Sequence, residues 1–157
     1  MSRNSIKKLK TGGRVLLVLY LACLIYFMFF SESYGRTEAH AEYRYNLVLF
    51  REIRRFLTYR DILGMPAVLL NVVGNVVVFI PYGCGLPLLF ERLQSFWRIA
   101  VLSFAASLLA ETMQLILRVG CFDVDDLLLN TVGGCIGYLI FLLIRRCWRR
   151  KYGEKKL

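Results

Sequence analysis

The chain has 157 residues, of which 57% are hydrophobic, and its excess of Lys and Arg over Asp and Glu gives a net charge of +10. Ordinary soluble domains are about 45–50% apolar, so this composition favours a membrane protein. The basic residues lie mainly between and beyond the apolar segments, which favours basic membrane flanks and excludes nucleic acid as the expected partner.

Four apolar segments approach the roughly 20 residues that a helix needs to cross a bilayer. We therefore predict an all-α integral membrane protein, a four-helix transmembrane bundle forming a single domain over residues 1–157. Basic residues before the first segment are also typical of a signal peptide, but no A-x-A-like cleavage site follows it, which favours an uncleaved anchor. The predicted spans are Val15–Phe30, Ala67–Phe90, Ile99–Leu117 and Leu127–Ile144.

Lys and Arg are distributed unequally on the two sides of these spans. Fourteen lie in the N-terminal tail, the second loop and the C-terminal tail, whereas seven lie in the first and third loops. The positive-inside rule then places both termini in the cytoplasm and the first and third loops outside. The chain is expected to cross its membrane several times.

The loop between the first two spans contains an amphipathic pattern. Apolar residues recur at helical spacing from Leu49 to Leu57, with Arg and Glu between them. This pattern predicts a short helix that lies on the outer leaflet or caps the bundle, and it leaves both options open. His40, earlier in the loop, is expected to be a solvated surface residue. The five cysteines lack the spacing of a zinc site or a disulfide framework.

The third span carries the most informative residue, Glu111. A carboxylate at the centre of a span costs about 3 kcal/mol on insertion scales, so it needs a partner or a function. Helical spacing places it in a polar stripe, which must face protein or water because the rest of the helix is apolar. The stripe consists of Ser103, Ser107, Glu111, Gln114 and Arg118.

Amide side chains in the second and fourth spans lie at a similar predicted depth. At a rise of 1.5 Å per residue, Glu111 lies about 9 Å, Asn75 about 12 Å and Asn130 about 5 Å inside the outer ends of their spans. Asn71 is expected to share a helix face with Asn75 because four residues separate them. We therefore expect three helices to present these side chains in one chamber, beneath the aspartates of the third loop.

Small residues in the fourth span predict close helix packing on the same side. Gly133 and Gly137 form a GxxxG pair, and Asn130 lies three residues before the first glycine. Such pairs allow two backbones to approach closely in a membrane, so the packing face is also the face that carries the amide. In the second span, Pro81 with nearby glycines predicts a kink.

The polar residues also have plainer explanations. Asp123 and Asp126 begin the fourth span and are expected to cap it, while the asparagines could simply form hydrogen bonds between helices. Glu111 is the hardest to explain by structure alone. It could bind a cation together with the aspartates, exchange a proton, or form an ion pair with Arg118.

Several segments in series carry a resemblance to a known family. In order and spacing they are similar to the signature of VanZ-like membrane proteins, over about residues 46–138. The segment Asn46–Phe50 resembles that family's Asn-Leu-x-Pro-Phe element, with Leu49 in place of the proline. The other matching segments are Asn75–Gly83, Glu111–Gln114, Asp123–Asp126 and Asn130–Gly134.

The resemblance implies a bacterial cytoplasmic-membrane protein from a family whose founding member is associated with low-level resistance to the glycopeptide teicoplanin. The family's characteristic polar residues correspond in this chain to positions in the polar stripe, in the second and fourth spans and in the third loop. The expected ligand-pocket residues are Asn75, Glu111, Gln114, Asp123, Asp126 and Asn130.

Our leading hypothesis is a non-transporting protein whose outer-leaflet pocket binds a cell-envelope amphiphile, such as a lipid-linked cell-wall precursor or a lipoglycopeptide. The alternative is a membrane-embedded enzyme that acts on a lipid-linked head group by metal or acid/base chemistry. No nucleophile set of the Ser/His/Asp or Cys/His type is present, which disfavours the enzyme. A divalent cation, held by Glu111, Asp123 and Asp126, is the one cofactor that the sequence leaves open. The sequence specifies no oligomeric state.

Overall fold

A computed structural model describes residues 3–30 and 42–152, and His40 lies outside this range. Within it, four helices are long and apolar enough to cross a membrane, as the sequence predicts. The first and last helices are longer than their apolar segments because they continue into the basic tails. The α-helices are α1 Arg3–Phe30, α2 Arg51–Thr58, α3 Arg60–Leu63, α4 Met65–Val68, α5 Gly74–Leu89, α6 Phe96–Leu117 and α7 Val124–Tyr152.

The second span begins with an irregular turn that the sequence did not predict. A π-helical segment, Leu69–Val73, connects α4 to α5, and a 3₁₀ turn, Glu91–Leu93, connects α5 to α6. The wider i→i+5 turn changes the direction of side chains across this segment. Pro81 lies inside α5, which continues through it as a helix.

Helix α7 packs along both α5 and α6, and glycines permit this packing. A Cβ atom added at Gly133 would overlap the Val76 carbonyl of α5, and one added at Gly137 would lie 2.8 Å from the Cys84 nitrogen. The predicted GxxxG contact is therefore confirmed, with α5 as its partner. An apolar core that includes the fully buried Phe141 lies farther along the same helix.

The first and third loops meet at one end of the bundle. Strand β1, Arg44–Asn46, pairs in parallel with strand β2, Cys121–Asp123. At the same end, the Gln114 side chain near the end of α6 bonds to a carbonyl near the end of α1. This arrangement agrees with spans that alternate in direction. Which end faces the cell exterior stays the prediction of the positive-inside rule.

The predicted amphipathic helix is present as α2. Ile53 and Phe56 are partly buried, whereas Leu57 is 54% exposed. The helix thus contacts the bundle with one part of its apolar surface and leaves another part uncovered. Both predicted roles, a cap on the bundle and a helix at the membrane surface, are compatible with this placement.

Candidate functional site

The polar stripe of α6 faces protein, as predicted. Ser103 and Ser107 are fully buried, and Glu111 and Gln114 are each only 2% exposed. Arg118 leaves the stripe because α6 ends at Leu117 and Arg118 adopts a left-handed conformation with φ 58°. Its guanidinium lies 4.5 Å from the centre of the Tyr43 ring.

Glu111 connects α6 to the start of α7. Its Oε2 atom accepts a hydrogen bond of 3.1 Å from the backbone N–H of Asp123. The Asp123 carboxylate in turn accepts bonds from the Asn46 side chain at 3.0 Å and from the Asp125 backbone at 2.8 Å. The bond from Asp125 is that of an N-terminal cap, which confirms the capping role predicted for Asp123.

Burial is the main influence on the pKa of the Asp123 carboxyl group. Burial raises the pKa of its carboxyl group, and the nearby acidic side chains of Asp125 and Glu52 add to this effect. The hydrogen bonds from Asn46 and from the Asp125 backbone oppose it. The net direction is upward, so folding favours the protonated form of Asp123 relative to a solvated aspartate.

Three amide side chains form hydrogen bonds between helices. Asn75 of α5 donates to the Asp126 carboxylate of α7, and Asn130 of α7 donates to the Ser107 hydroxyl of α6 at 2.8 Å. Gln114 of α6 donates to the Met28 carbonyl of α1 at 2.9 Å. The plainer role predicted for Asn75 and Asn130 is thus confirmed, and all four spans are connected.

The structure brings five of the six expected pocket residues to one cavity of about 310 Å³, here called the helix cavity. Apolar side chains from α1 and from the second span complete its walls. The polar lining consists of Asn75, Glu111, Gln114, Asp126 and Asn130, and the other lining residues are Leu24, Phe27, Met28, Leu70, Gly74, Val77 and Val78.

The sixth residue, Asp123, lines a neighbouring cavity of about 580 Å³ under the first and third loops, here called the loop cleft. Asp126 lines both cavities. Asn71 lines the loop cleft whereas Asn75 lines the helix cavity, and the expectation that the two share a helix face stays a prediction. Asn71 lies in the π-helical segment, and Asn75 lies in α5, which follows it.

Sequence reasoning missed Asp125, which is 1% exposed. Its carboxylate accepts hydrogen bonds from the backbone N–H groups of Phe50, Glu52 and Ile53. These are donors at the start of α2, where Phe50 has φ 64° and α2 has no side-chain cap of its own. Asp125 therefore caps α2 from another helix.

Asn46, which is 4% exposed, was also missed as a site residue. Its amide bonds to Asp123, and its own Oδ1 atom accepts the Val48 backbone N–H at 3.1 Å. The signal was available, because Asn46 begins the segment with the Asn-Leu-x-Pro-Phe resemblance. Nothing in its spacing, however, indicated a partner 77 residues away.

The carboxylates of the site are engaged separately. In the part of the chain that the structure describes, no group of three or more His, Cys, Asp or Glu side chains is placed to hold a metal ion. Asp123 caps α7 while Asp126 bonds to Asn75. The set of Glu111, Asp123 and Asp126 is therefore not gathered around one point, and use of a divalent cation stays a prediction.

Comparison with known proteins agrees with the resemblance drawn from the motifs. A model of the VanZ/LLP1 family matches residues 17–145. The chain belongs to the VanZ/LLP1 family. The match begins within α1, so family similarity extends beyond the residues 46–138 that the motifs indicated.

A similar protein is Protein VanZ of Enterococcus faecium. It is 28% identical over 144 residues, which cover 90% of this chain and 81% of that protein. No solved structure matches the chain significantly. Family membership and the four apolar helices together make this a multi-pass membrane protein of the VanZ/LLP1 family.

Proposed function

We propose that this VanZ-family protein binds an amphiphile of the cell envelope in its helix cavity. The observation that carries the proposal is the composition of that cavity, where five polar side chains from α5, α6 and α7 face an otherwise apolar wall. Ligand pockets combine apolar walls with a few placed polar groups, and about 310 Å³ lies at the lower end of their usual volumes. The cavity suits one polar group with an attached apolar segment.

The wall formed by α1 supports access from the bilayer. Leu24, Phe27 and Met28 of this helix line the cavity. Helix α1 is also the span with the least burial inside the protein, since most of its surface is uncovered by other helices. A lipid-like molecule that diffuses along α1 would therefore reach the cavity without crossing a polar surface.

The proposal extends to the biological role. With both termini in the cytoplasm, as the positive-inside rule predicts, the helix cavity lies in the outer half of the bilayer. Lipid-linked cell-wall precursors and lipoglycopeptides are amphiphiles that occur there. We propose that binding such a molecule contributes to glycopeptide resistance, in line with the role associated with the family's founding member.

The test uses Glu111→Gln and Asp126→Asn, expressed at the wild-type level. Both variants are expected to bind labelled lipid precursor or lipoglycopeptide more weakly and to lower the glycopeptide concentration that cells survive. Glu91→Gln and Asp61→Asn make the same chemical changes at exposed positions and should leave both measurements unchanged.

Unchanged binding and susceptibility in both site variants would refute the proposal. The enzymatic alternative predicts something different, namely a new product when the purified protein is incubated with a lipid-linked head group. Turnover that Glu111→Gln abolishes would replace binding by catalysis as the function of the cavity.

A further inference from the structure

The last part of α7 carries a groove near the end of the bundle opposite the helix cavity, here called the arginine groove. Its volume is about 730 Å³, and every residue that lines it belongs to α7. From Asn130 of the helix cavity to Arg146, the helix rises about 24 Å, so the groove and the cavity are separate features. The lining residues are Leu139, Leu142, Leu143, Arg145, Arg146, Arg149 and Arg150.

The leucines and arginines of the arginine groove follow one side of α7. At about 100° per residue, six of the seven lie within an arc of about 120°, and Arg145 lies about 40° beyond it. Gly137, whose backbone packs against α5, lies on the other side, about 160° from Leu139. The three leucines are exposed in the structure. This side of α7 therefore faces the bilayer and not another described helix.

The order of residues along the arginine groove matches the layers of a bilayer. The predicted span ends at Ile144, so the leucines lie within the hydrocarbon region and the arginines begin at its boundary. Lipid phosphates lie just beyond this boundary, and guanidinium groups bind phosphate through charged, often bidentate hydrogen bonds. The stem of an arginine side chain can also lie along apolar surface while its charged end reaches the head groups.

The charge of the arginine groove has one sign. In the part of the chain that the structure describes, no Asp or Glu lines the groove, and none of its arginines forms an ion pair. Glu91, an acidic residue between α5 and α6, pairs with Lys10 at 3.3 Å. The positive-inside rule accounts for a basic end of the bundle, but not for the alignment of arginines with leucines. That alignment matches a ligand that combines an anionic group with apolar chains.

We infer that the arginine groove binds an anionic phospholipid from the leaflet at that end of the bundle. The phosphate of the lipid contacts the guanidinium groups, and an acyl chain packs on the leucines. A zwitterionic lipid binds more weakly, because its head group carries a cation that the arginines repel. With both termini in the cytoplasm, as the positive-inside rule predicts, the lipid comes from the inner leaflet. This site goes beyond the proposed function of the helix cavity and does not depend on it.

Quenching of tryptophan fluorescence by dibrominated lipids measures which lipid occupies the arginine groove. Trp97→Phe together with Trp148→Phe removes both tryptophans of the chain. In this background, Leu143→Trp places one reporter in the groove, and Val101→Trp places a matched reporter on the exposed surface of α6. The protein is studied in mixed vesicles of phosphatidylglycerol and phosphatidylcholine, in which one lipid or the other is brominated. The two quenching curves give the relative binding constant of the lipids at each reporter.

The two reporters are expected to differ in lipid preference. Phosphatidylglycerol should be preferred about tenfold or more at the Leu143→Trp reporter, because several arginines near the surface each attract an anionic head group. At the Val101→Trp reporter, which lies outside the groove, the preference should stay below about twofold. A preference that is equal at the two reporters, or absent at Leu143→Trp, would overturn the inference.

Arginine variants test whether the guanidinium groups cause the preference. Arg146→Gln combined with Arg149→Gln should lower the preference for phosphatidylglycerol at the Leu143→Trp reporter to about twofold. The matched control, Arg92→Gln combined with Arg98→Gln, removes the same charge at exposed positions near the start of α6 and should leave the preference unchanged. An equal loss from both pairs would assign the preference to the net charge of this end of the bundle and overturn the inference.

A soluble competitor separates a lipid site from a phosphate site. Glycerol phosphate carries the anionic group without acyl chains, so at the concentration of phosphatidylglycerol it should not change the quenching. Displacement of the lipid by glycerol phosphate would show that the arginines bind phosphate alone, and this would also overturn the inference. If the arginine variant does not fold, the contrast between the two reporters decides. None of these results affects the helix cavity, which is tested by Glu111→Gln and Asp126→Asn.

Discussion

Replacing Asp125 by alanine tests whether α7 holds α2 in place. The Asp125 carboxylate is 1% exposed and accepts backbone bonds from Phe50, from Glu52 at 2.9 Å and from Ile53 at 3.2 Å. A hydrogen bond to a charged group contributes about 1.5–3 kcal/mol, and a lost cap costs about 0.5–2 kcal/mol. Water can solvate the released N–H groups once α2 moves, so the net cost is below the sum of three bonds. We expect about 2–4 kcal/mol.

Amide hydrogen exchange in residues 50–58 measures this loss directly. At 1.36 kcal/mol per factor of ten, Asp125→Ala should accelerate exchange there roughly 30- to 900-fold. Exchange in α6 should change much less, because the lost bonds lie in α2. Asp125→Asn keeps one acceptor oxygen without the charge and should give a smaller acceleration. The matched control is Asp61→Ala in α3, whose side chain is 89% exposed.

Two results would contradict this reasoning. Unchanged exchange in α2 after Asp125→Ala would show that other contacts hold the helix. Equal acceleration throughout the bundle would show that Asp125 stabilises the whole fold and not the attachment of α2.

The remaining predictions concern packing, orientation and pH. Gly137→Ala should lower the free energy of unfolding by about 1–3 kcal/mol in chemical denaturation, because the added Cβ would collide with α5. Gly12→Ala is the control, because Gly12 has open space around it, and this change should not destabilise the protein. Equal effects of the two changes would contradict the close packing of α7 on α5. An impermeant thiol reagent applied to intact cells should label Cys121 and not Cys147, and the reverse would invert the orientation. Because burial, with a smaller effect of Asp123, raises the pKa of the Cys121 thiol, that labelling should be slow at neutral pH and accelerate as the pH rises. The pKa of the Asp123 carboxyl group is raised above its ordinary 3.8. The folded state therefore binds the proton of this group more tightly than the unfolded state does. Stability should fall as the pH rises from about 3.8 through the raised pKa. Asp123→Asn should remove this decrease in thermal unfolding, and an unaltered pH profile would assign it to another group.

The spans and the polar stripe could be predicted because both depend on local periodicity. Apolar length identifies a membrane helix, and helical spacing identifies which side of it is polar. The same spacing rule assumes regular helix, and Asn71 lies in a π-helical segment instead. The rule failed for Arg118, where the helix has already ended. The rule therefore holds where the backbone is regular and fails at the ends of the spans.

The contacts between the loops could not be predicted from local pattern. Strands β1 and β2 are only three residues each, too short for an alternating pattern, and they lie far apart in the sequence. The bond between Asn46 and Asp123 depends on their register. Likewise, an aspartate at the start of a helix ordinarily caps that helix, and only the fold shows that Asp125 caps another one.

The geometry of a helix start explains how one short acidic run serves several elements. Asp123 ends strand β2, whereas Asp125 and Asp126 are successive residues of α7 and point about 100° apart. Asp123 accordingly bonds to β1 and to its own helix, Asp125 to α2, and Asp126 to Asn75 of α5. This divergence agrees with the finding that no group of three or more His, Cys, Asp or Glu side chains among the described residues is placed to hold a metal ion. It also places Asp126, through its bond to α5, at the boundary between the loop cleft and the helix cavity, where a ligand that entered either one would meet it.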